Sequence, residues 1–390
     1  MIALSSRSFD LARPALPLSA HMSHEEFQVA RLTVRLGAVA ANYREVQSRA
    51  GTASVAGVVK ADAYGLGMAA VAKALTAQRC DTFFVARVSE GIALRPLAPQ
   101  ARIFVLDGAQ PDAVPALIAH RLTPVLNALG EIAAWSAAAR EMHATFDAAI
   151  HVDTGMNRLG LPAYELATLA GEAKERLSGL RVVLAMSHLA CADDAASAMN
   201  ATQLARFKTA LAMLPPAPAS LASSGGVLLG KDYAFDMVRP GIGLYGGNPR
   251  KSGPNPFATA AILSARILQL RRVDSGESVG YGATHTIARP GMLATIALGY
   301  ADGVLRALGD KGAAAIAGQR APFAGRVSMD LITLDVTDVP ARALEIGAEV
   351  EIFGDTIALE DFAAGAGTAN YEILTRLGSR LPRDYVDGAR

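Results

Sequence analysis

Lys60 directly follows an apolar stretch of sequence. A side-chain amine in apolar surroundings can take part in a chemical reaction. Residues Ser54 to Val59 are mostly small or β-branched, so they predict a buried strand that ends at this lysine. Apolar surroundings lower the pKa of an amine and make it a nucleophile that forms Schiff bases with carbonyl compounds. The alternative is a lysine that has only reached solvent at the end of a strand.

The residues after Lys60 offer groups that bind a phosphate. Tyr64 supplies a hydroxyl, and Gly65 and Gly67 supply free backbone N–H groups where a helix is expected to begin, near Gly65. The alternative for Tyr64 is an aromatic side chain at a strand end with a solvated hydroxyl. A lysine and a phosphate site this close together favour a functional role for Lys60.

Strand and helix patterns alternate along the first two thirds of the chain, beginning with a helix expected over Gly37–Arg49. Eight apolar runs predict strands: Ser54–Val59, Thr82–Val88, Ala101–Leu106, Leu122–Val125, Thr145–Val152, Leu180–Ser187, Ala217–Ala222 and Phe235–Val238. Eight parallel strands that alternate with helices over about two hundred residues are typical of a (β/α)8 barrel, an α/β fold of the TIM type. A doubly wound open sheet is the alternative, but no strand ends in a convincing Gly-x-Gly-x-x-Gly turn.

Unusual polar residues follow several of these predicted strands. The positions are Lys60, the segment Asp153–Arg158, His188, the pair Ser223 and Ser224, and Arg239. In a barrel, the carboxyl ends of all strands meet on one face, and active sites are built there. The polar residues therefore predict an active site at this face.

The composition of the sequence and its predicted elements change after about Leu244. Residues 246–256 are rich in Gly, Pro and Asn and predict a linker. Strand-like segments separated by turns follow, and a helix-like stretch comes late: Ile262–Val273, Glu277–Ile287, Leu293–Leu298, Ala313–Ile316, Arg326–Asp335, Glu349–Phe353, and the helix Leu359–Leu377. We predict a flexible N-terminal extension (1–29, with Met22 as a possible alternative start), a barrel domain (30–256) and a C-terminal β-rich domain (257–390).

The composition excludes several classes of function. The net charge is +1, which gives no electrostatic footprint for nucleic acid or an anionic membrane surface, and no apolar stretch is long enough to cross a bilayer. Two cysteines, Cys80 and Cys191, cannot form a disulfide framework, so we expect a cytoplasmic protein. Seven histidines without ligand spacing indicate no metal site.

Several motifs resemble one family in both parts of the chain. The stretch VVKADAYGLG around Lys60 resembles the pyridoxal phosphate lysine motif of bacterial alanine racemases. Further stretches match in the same order: HVDTGMNRLG, RPGIGLYG, VGYGATH, LGYADG, GRVSMD and NYE. The resemblance covers about residue 31 to 390. It implies an isomerase that interconverts L-alanine and D-alanine, supplies D-alanine for peptidoglycan, and works as a homodimer with shared active sites.

The resemblance assigns cofactor roles to residues of the barrel. Lys60 would attach pyridoxal phosphate covalently and act as one catalytic base. His188 would adjoin the cofactor ring and, with Arg239, would count among the catalytic residues. Groups for the phosphate would come from Tyr64, Ser224, Gly241, Ile242 and Tyr371. The family usually has Asn where this chain has Ser223. From the residues alone, His188 has an equally plausible structural role.

Arg239 resembles the arginine that faces the pyridine nitrogen. A guanidinium does not give up its proton, so it binds that nitrogen without protonating it. The ring is then a weaker electron sink, which suits racemisation better than transamination or elimination. A surface arginine before a turn is the alternative for Arg239.

Arg158 resembles the arginine that contacts both the phenolic oxygen of the cofactor and the substrate carboxylate. Many relatives carry a carbamylated lysine seven residues earlier that positions this arginine, whereas this chain has His151. Histidine does not form that stable carbamate, so a different anion or water would support Arg158, or the arginine would be held less firmly. We expect altered kinetics, with activity retained.

Racemisation needs a second base on the opposite face of the substrate. The resemblance gives this role to Tyr281, whose phenol, with an ordinary pKa near 10, needs positive charge nearby, which His188 and Arg239 would supply. Other residues of the entrance and the substrate site would be Asp193, Tyr300, Arg306, Arg326 and Met329. In the family, Tyr281, Tyr300 and Met329 act across a head-to-tail dimer.

Two other functions stay open at this point. A decarboxylase or D-amino-acid lyase would use the same kind of barrel, but Tyr281 and the arginine at the ring-nitrogen position argue against it. A non-catalytic carrier of pyridoxal phosphate would resemble the barrel alone, and the second domain argues against that.

Overall fold

The computed structural model of the chain describes residues 28–388, so the predicted extension (1–29) lies outside it except for its last two residues. The helices are α1 (Leu36–Ala50), α2 (Lys60–Tyr64), α3 (Met68–Ala77), α4 (Val88–Leu94), α5 (Val114–Ala119), α6 (Leu129–Glu141), α7 (Ala163–Gly171), α8 (Ala173–Arg176), α9 (Ala198–Leu211), α10 (Ser224–Leu229), α11 (Leu359–Gly365) and α12 (Asn370–Thr375). Among these residues, no helix is both long and apolar enough to cross a bilayer.

The first described strand is β1 (Ala30–Arg35), and the barrel strands follow it. They are β2 (Ser54–Val55), β3 (Gly57–Val58), β4 (Thr82–Val85), β5 (Arg102–Val105), β6 (Thr123–Leu126), β7 (Phe146–His151), β8 (Leu180–Met186), β9 (Ala219–Ser220) and β10 (Met237–Val238). β2 and β3 are two parts of the predicted strand before Lys60. All eight predicted barrel strands are therefore found.

The strands close into a parallel barrel. Strands β3 to β9 pair in sequence order, and β10 pairs with β2 in parallel. Between β9 and β10, the Asp236 N–H donates to Ala219 O and the Arg239 N–H donates to Ala222 O, at 3.0 and 2.9 Å. The predicted (β/α)8 fold is thus confirmed.

The barrel strands are apolar along their whole length because helices cover their outer face. β4 is buried at all four positions, and Phe84 stacks on Phe104 of the next strand with ring centroids 4.7 Å apart. Parallel strands buried on both faces have this continuous apolar pattern. The packed interior fixes the positions at which the strands end, and those ends carry the polar residues.

The second unit is a mixed β-sheet, which confirms the predicted β-rich C-terminal domain. Its strands are β11 (Ala261–Val273), β12 (Ser278–Val279), β13 (His285–Thr286), β14 (Gly291–Ile296), β15 (Ala313–Ile316), β16 (Gln319–Pro322), β17 (Ile332–Asp335), β18 (Glu349–Phe353) and β19 (Arg383–Val386). The long strand β11 pairs with β1, β14 and β18. β1 lies between β11 and β19, so residues 30–35 belong to this sheet; the domain boundaries themselves stay predictions.

Three predicted elements of the second unit are shorter than expected. The segment Glu277–Ile287 is a hairpin whose turn has positive φ at Gly280 and Gly282. Only Ile332–Asp335 of the strand predicted over 326–335 is extended. The late helix is split into α11 and α12 by a turn at Gly367, where φ is +71°. Glycines in left-handed conformation interrupt the first and the third of these elements.

The C-terminal segment joins the two units close to Lys60. Arg383 donates to the backbone oxygen of Gly65 through Nε and Nη2, at 3.2 and 3.1 Å. A side-chain carbon on Gly67 would lie 1.9 Å from the hydroxyl of Tyr385, and one on Gly65 would lie 2.5 Å from Leu374 O. The second unit therefore covers the turn that follows Lys60.

Candidate active site

A cavity of about 460 Å³ opens at the carboxyl ends of the barrel strands. It is lined by nine residues predicted from the sequence to hold a cofactor: Lys60, Tyr64, Arg158, His188, Ser224, Arg239, Gly241, Ile242 and Tyr371. Eight of them come from the barrel, and Tyr371 comes from α12. The structure thus brings these residues together at the predicted face.

The turn after Lys60 has an unusual backbone. Ala61, Asp62, Ala63 and Tyr64 all have φ between +51° and +58°, so α2 is a single left-handed turn. This conformation costs about 1–2 kcal/mol for each L-residue, so other contacts must hold it. Glu90 of α4 supplies one, because its Oε1 accepts the Ala61 N–H at 2.6 Å.

The expected helix start and the free N–H groups at Gly65 and Gly67 are wrong. The Gly65 N–H donates to Ala61 O and Asp62 O at 2.8 and 3.1 Å, and the Gly67 N–H donates to Asp62 O at 2.9 Å. The right-handed helix α3 begins only at Met68, whose N–H is accepted by the carboxylate of Asp62 at 2.7 Å. The two glycines are needed for their positive φ and for close packing against the second unit.

Lys60 carries an amine whose pKa is lowered. The first cause is desolvation by burial, and the positive charges of Arg158 and Arg239 act in the same direction. Glu90 and Asp107 oppose them and raise the pKa. A lowered pKa favours the free amine, the form that reacts covalently with a carbonyl compound.

Arg239 is held rigidly beneath the cavity. Its Nε donates to Ser220 Oγ at 2.9 Å, and its Nη2 donates to Leu221 O at 3.2 Å and to Ser187 O. Its Cζ lies 5.8 Å from the ring centroid of Phe84. Burial lowers the pKa of Arg239 to about 10, so the guanidinium stays charged at neutral pH.

One corner of the cavity gathers N–H and hydroxyl groups. The Ser224 hydroxyl accepts the N–H groups of Gly241 and Gly243 at 3.0 and 3.1 Å. A side-chain carbon on Gly241 would lie 2.3 Å from the Tyr64 hydroxyl, so only glycine fits there. Because its oxygen accepts both N–H groups, the Ser224 hydroxyl keeps its own hydrogen to donate to an anion such as a phosphate.

Two aromatic hydroxyls flank that corner. Tyr64 is buried, and burial raises the pKa of its hydroxyl; its ring centroid lies 4.9 Å from that of Tyr245 and 6.1 Å from that of Tyr371. Burial, with a smaller contribution from Asp193, raises the pKa of Tyr371 to about 12. Both hydroxyls therefore stay protonated and able to donate to an anion.

His188 is neutral in this structure. Burial lowers its pKa well below the ordinary value, and the charges of Arg239 and Arg158 lower it further. Its backbone oxygen accepts a hydrogen bond from Gln203 Nε2 at 2.9 Å. These causes oppose a proton on His188, because it would face two guanidinium groups, and the expectation that His188 supplies positive charge to a tyrosine stays a prediction.

Arg158 lies on an exposed loop at the mouth of the cavity. The Asp153 carboxylate accepts the N–H groups of Gly155, Met156 and Asn157 at 2.9 to 3.2 Å, which shapes the loop. The predicted segment Asp153–Arg158 is thus a compact turn that brings a guanidinium to the cavity. Such a group suits a carboxylate or phenolate ligand.

The remaining predicted residues do not line this cavity. Tyr281, Tyr300 and Met329 are exposed in the second unit, by 70%, 42% and 53%. Arg326 lies beside the turn of Tyr281, since its Nη1 is 3.1 Å from where a side-chain carbon on Gly282 would lie. Arg306 begins the short helix Arg306–Leu308 of the same unit. Asp193 forms an ion pair with Lys251 at 3.3 Å.

Two residues of this site were not predicted from the sequence. Glu90 holds the turn after Lys60, and Asn127 forms a hydrogen bond with Nδ1 of His151 at 2.8 Å. Glu90 stands in the first turn of a helix, where an acidic residue is common, so its type carried no signal. Within the part of the chain that the structure describes, no three His, Cys, Asp or Glu side chains come together as metal ligands would.

Comparisons with known proteins agree with this geometry. Family models for the alanine racemase N-terminal and C-terminal domains match residues 34–249 and 260–385. The alanine racemase of Methylobacterium nodulans is 47% identical over 92% of this chain and 97% of its own length. The catabolic alanine racemase of Agrobacterium fabrum is 47% identical over 91% of this chain and 92% of its own.

A solved structure gives the same result for the fold. Alanine racemase from Bartonella henselae, solved with covalently bound pyridoxal phosphate, is 38% identical with a TM-score of 0.88, and the match covers 92% of this chain and all of that one. Both domains, their order and the fold are shared. The chain belongs to the alanine racemase family.

Proposed function

We propose that this chain is a pyridoxal phosphate-dependent alanine racemase that interconverts L-alanine and D-alanine. The observation that carries the proposal is the cavity that joins a lysine of lowered pKa, a fixed guanidinium and a corner lined by the hydroxyls of Ser224 and Tyr64. Supply of D-alanine for peptidoglycan and a cytoplasmic location belong to the proposal.

The residues of the cavity fit this cofactor. A volume of about 460 Å³ is within the range of cofactor sites. The donors at Ser224, Gly241 and Ile242, with the hydroxyls of Tyr64 and Tyr371, would hold the phosphate. Lys60 would make the covalent link, His188 would adjoin the ring and Arg239 would face the ring nitrogen. When bound, pyridoxal phosphate draws electrons from the bonds of the substrate α-carbon and so acidifies its proton.

The protein's own groups would then orient the substrate and move one proton. The Arg158 guanidinium would bind the substrate carboxylate, with Met329 of a second copy contacting the same group. The amine of Lys60, whose pKa is lowered by burial and by neighbouring guanidinium groups, would exchange a proton with the α-carbon on one face. The hydroxyl of Tyr281 would do so on the other face.

We propose that Tyr281 comes from a second copy of the chain in a homodimer. Tyr281, Tyr300 and Met329 are large, exposed and placed outside the cavity of their own chain, as suits residues that complete a site elsewhere. Arg306 and Arg326 of the same unit and Asp193 of the barrel would line the entrance. A monomer would lack one of the two bases.

Deuterium exchange tests the proposed reaction. In deuterium oxide, purified holoenzyme should remove the optical rotation of L-alanine while deuterium enters the α-position. Lys60→Ala should lower the rates of both effects by about 10²- to 10⁴-fold and should lack the cofactor absorbance band. Lys73→Ala, which alters an exposed lysine of α3, is the matched control and should act as the unchanged protein. Carbon dioxide or a keto acid as the main product would instead identify a decarboxylase or lyase.

A further inference from the structure

His151 is a buried side chain of the cavity, and the proposed reaction gives it no role. It ends β7, lines the cavity and is only 8% exposed. Its Nδ1 lies 2.8 Å from Oδ1 of Asn127. This contact leaves the second ring nitrogen, Nε2, for contacts in the cavity.

The surroundings of Asn127 fix the hydrogen bond to His151. The amide nitrogen Nδ2 of Asn127 donates to Val125 O at 2.8 Å and to Leu106 O at 3.1 Å. These carbonyls only accept, so the amide group cannot be turned round without losing both bonds. Its oxygen therefore faces His151, and Nδ1 of His151 must be the donor.

The second nitrogen of His151 is consequently an acceptor. A neutral imidazole with its proton on Nδ1 has a lone pair on Nε2. Burial first, and then the charge of Arg239, lower the pKa of His151 to about 4, so the ring is neutral at physiological pH.

The ring edge that carries Nε2 faces the Arg158 loop. A side-chain carbon on Gly160 would lie 3.1 Å from Cδ2 of His151, the ring atom bonded to Nε2. The ends of the loop are tied to the same strand end, because the Leu161 N–H donates to His151 O at 2.8 Å and the Asp153 N–H donates to Leu161 O at 3.0 Å. Arg158 extends from this loop into the same cavity, and its charge also lowers the pKa of His151.

We propose that His151 is a positioning residue that accepts a hydrogen bond from the Arg158 guanidinium through Nε2, with Asn127 setting the tautomer. The proposal deepens and rests on the proposed function, in which Arg158 binds the substrate carboxylate. A neutral acceptor orients the guanidinium without neutralising its charge. The whole positive charge of Arg158 then remains available to the substrate.

Two variants of His151 separate this role from packing alone. In His151→Gln, the amide N–H can still donate to Asn127 and the amide oxygen can still accept from Arg158. His151→Leu can do neither, because it replaces the ring by an apolar side chain of similar size. The glutamine variant is therefore the conservative rescue, and the leucine variant is the loss of function.

The first measurement uses the apoprotein and does not depend on catalysis. We expect phenylglyoxal to modify Arg158 about fivefold faster in His151→Leu than in the unchanged protein, with His151→Gln within about twofold, as followed by peptide mass spectrometry. Equal rates in all three proteins would overturn the proposal. A protein without racemase activity would still report on Arg158 in this assay, so the two proposals can fail separately.

The second measurement separates binding from turnover. In the holoenzyme, His151→Leu should raise KM for L-alanine about tenfold and change kcat less, while His151→Gln should change KM little. If His151→Leu does not fold, ¹⁵N NMR of histidine-labelled unchanged protein decides, with the His151 signals identified by their loss in His151→Gln. The proposal requires a proton on Nδ1 between pH 6 and 9, and a proton on Nε2 would contradict it.

Discussion

Individual side chains in this site owe their protonation states to burial and to one another. Arg239 keeps its proton with a pKa of about 10, while His151 and His188 stay neutral beside it. Guanidinium groups thus hold positive charge where it is needed, and the two imidazoles remain uncharged. Lys60 is kept reactive by the same charges.

Ser224 provides a prediction for cofactor binding. Its hydroxyl lies between two N–H groups at the corner that we assign to the phosphate. Loss of one hydrogen bond to a charged group should raise the dissociation constant of pyridoxal phosphate for the apoenzyme by about 10- to 100-fold in Ser224→Ala. Titration by cofactor fluorescence measures this constant. Ser54→Ala, on an exposed serine at the opposite end of the barrel, should bind as the unchanged protein does.

The sequence predicted which residues line the cavity better than it predicted their protonation states. Lys60, Ser224 and Arg239 stand next to strand ends, and the barrel topology alone brings strand ends together. The neutral His188 was missed because its pKa depends on neighbours that only the folded chain supplies. Asn127 was missed because nothing in its local sequence indicates a bond to a residue on another strand.

Three helices join the loops around the cavity by the same kind of contact, in which a glutamate accepts a hydrogen bond. Glu90, Glu131 and Glu165 all stand in the first turn of a helix. Each carboxylate contacts the preceding part of the barrel mouth: Glu90 accepts the Ala61 N–H, Glu131 accepts from the Gln110 side chain, and Glu165 accepts the Leu129 N–H, at 2.6, 3.0 and 2.9 Å. A chain of such contacts fixes successive loops relative to each other.

Glu90→Gln should affect Lys60, whereas Glu165→Gln should not. The negative charge of Glu90 raises the pKa of Lys60, so its removal should let the amine lose its proton at lower pH. The pH dependence of Lys60 acylation in the apoprotein, followed by mass spectrometry, measures this shift. Each substitution replaces a charged acceptor in the first turn of a helix by a neutral one, so Glu165→Gln is the control for removing a carboxylate at such a contact. Equal midpoints in the two variants would contradict the role of Glu90.

Element types were predictable where the pattern was local. The eight barrel strands were found because apolar runs alternate with alanine-rich helices. The left-handed turn after Lys60 was not predicted, because Ala61 and Ala63 have no intrinsic preference for positive φ. Strand β1 was missed since its partners β11 and β19 lie more than two hundred residues later in the chain.

For the whole molecule, the buried neutral histidines make stability depend on pH. His151 takes up a proton near pH 4 in the folded chain but near its ordinary value of about 6.5 once unfolded. Between these values the unfolded state binds more protons, so the free energy of unfolding should fall as the pH falls. The slope for one histidine is at most about 1.4 kcal/mol per pH unit.

Urea unfolding at pH 7.5, 6 and 5 checks this prediction. His151→Gln should lower stability at pH 7.5 but show a flatter decline toward pH 5 than the unchanged protein. His143→Asn changes an exposed histidine, and its decline should match that of the unchanged protein. A decline equally steep in His151→Gln would show that His151 is not kept neutral by the fold.

The arrangement of the two units also belongs to this scale. The barrel carries the lysine and the donors for a phosphate, and the second unit carries Tyr281 on an exposed hairpin turn. In the proposed homodimer, two chains therefore build each complete site. Lys60 of one chain and Tyr281 of the other would serve the same α-carbon.

Mixing two inactive variants tests this claim most directly. Lys60→Ala and Tyr281→Phe should each lose about 10²- to 10⁴-fold in turnover as homodimers. After unfolding and refolding together in equal amounts, random pairing would make half of the dimers mixed, each with one intact site, so about one quarter of the unchanged activity should return. If both residues acted within one chain, no activity would return, and that result would contradict the account.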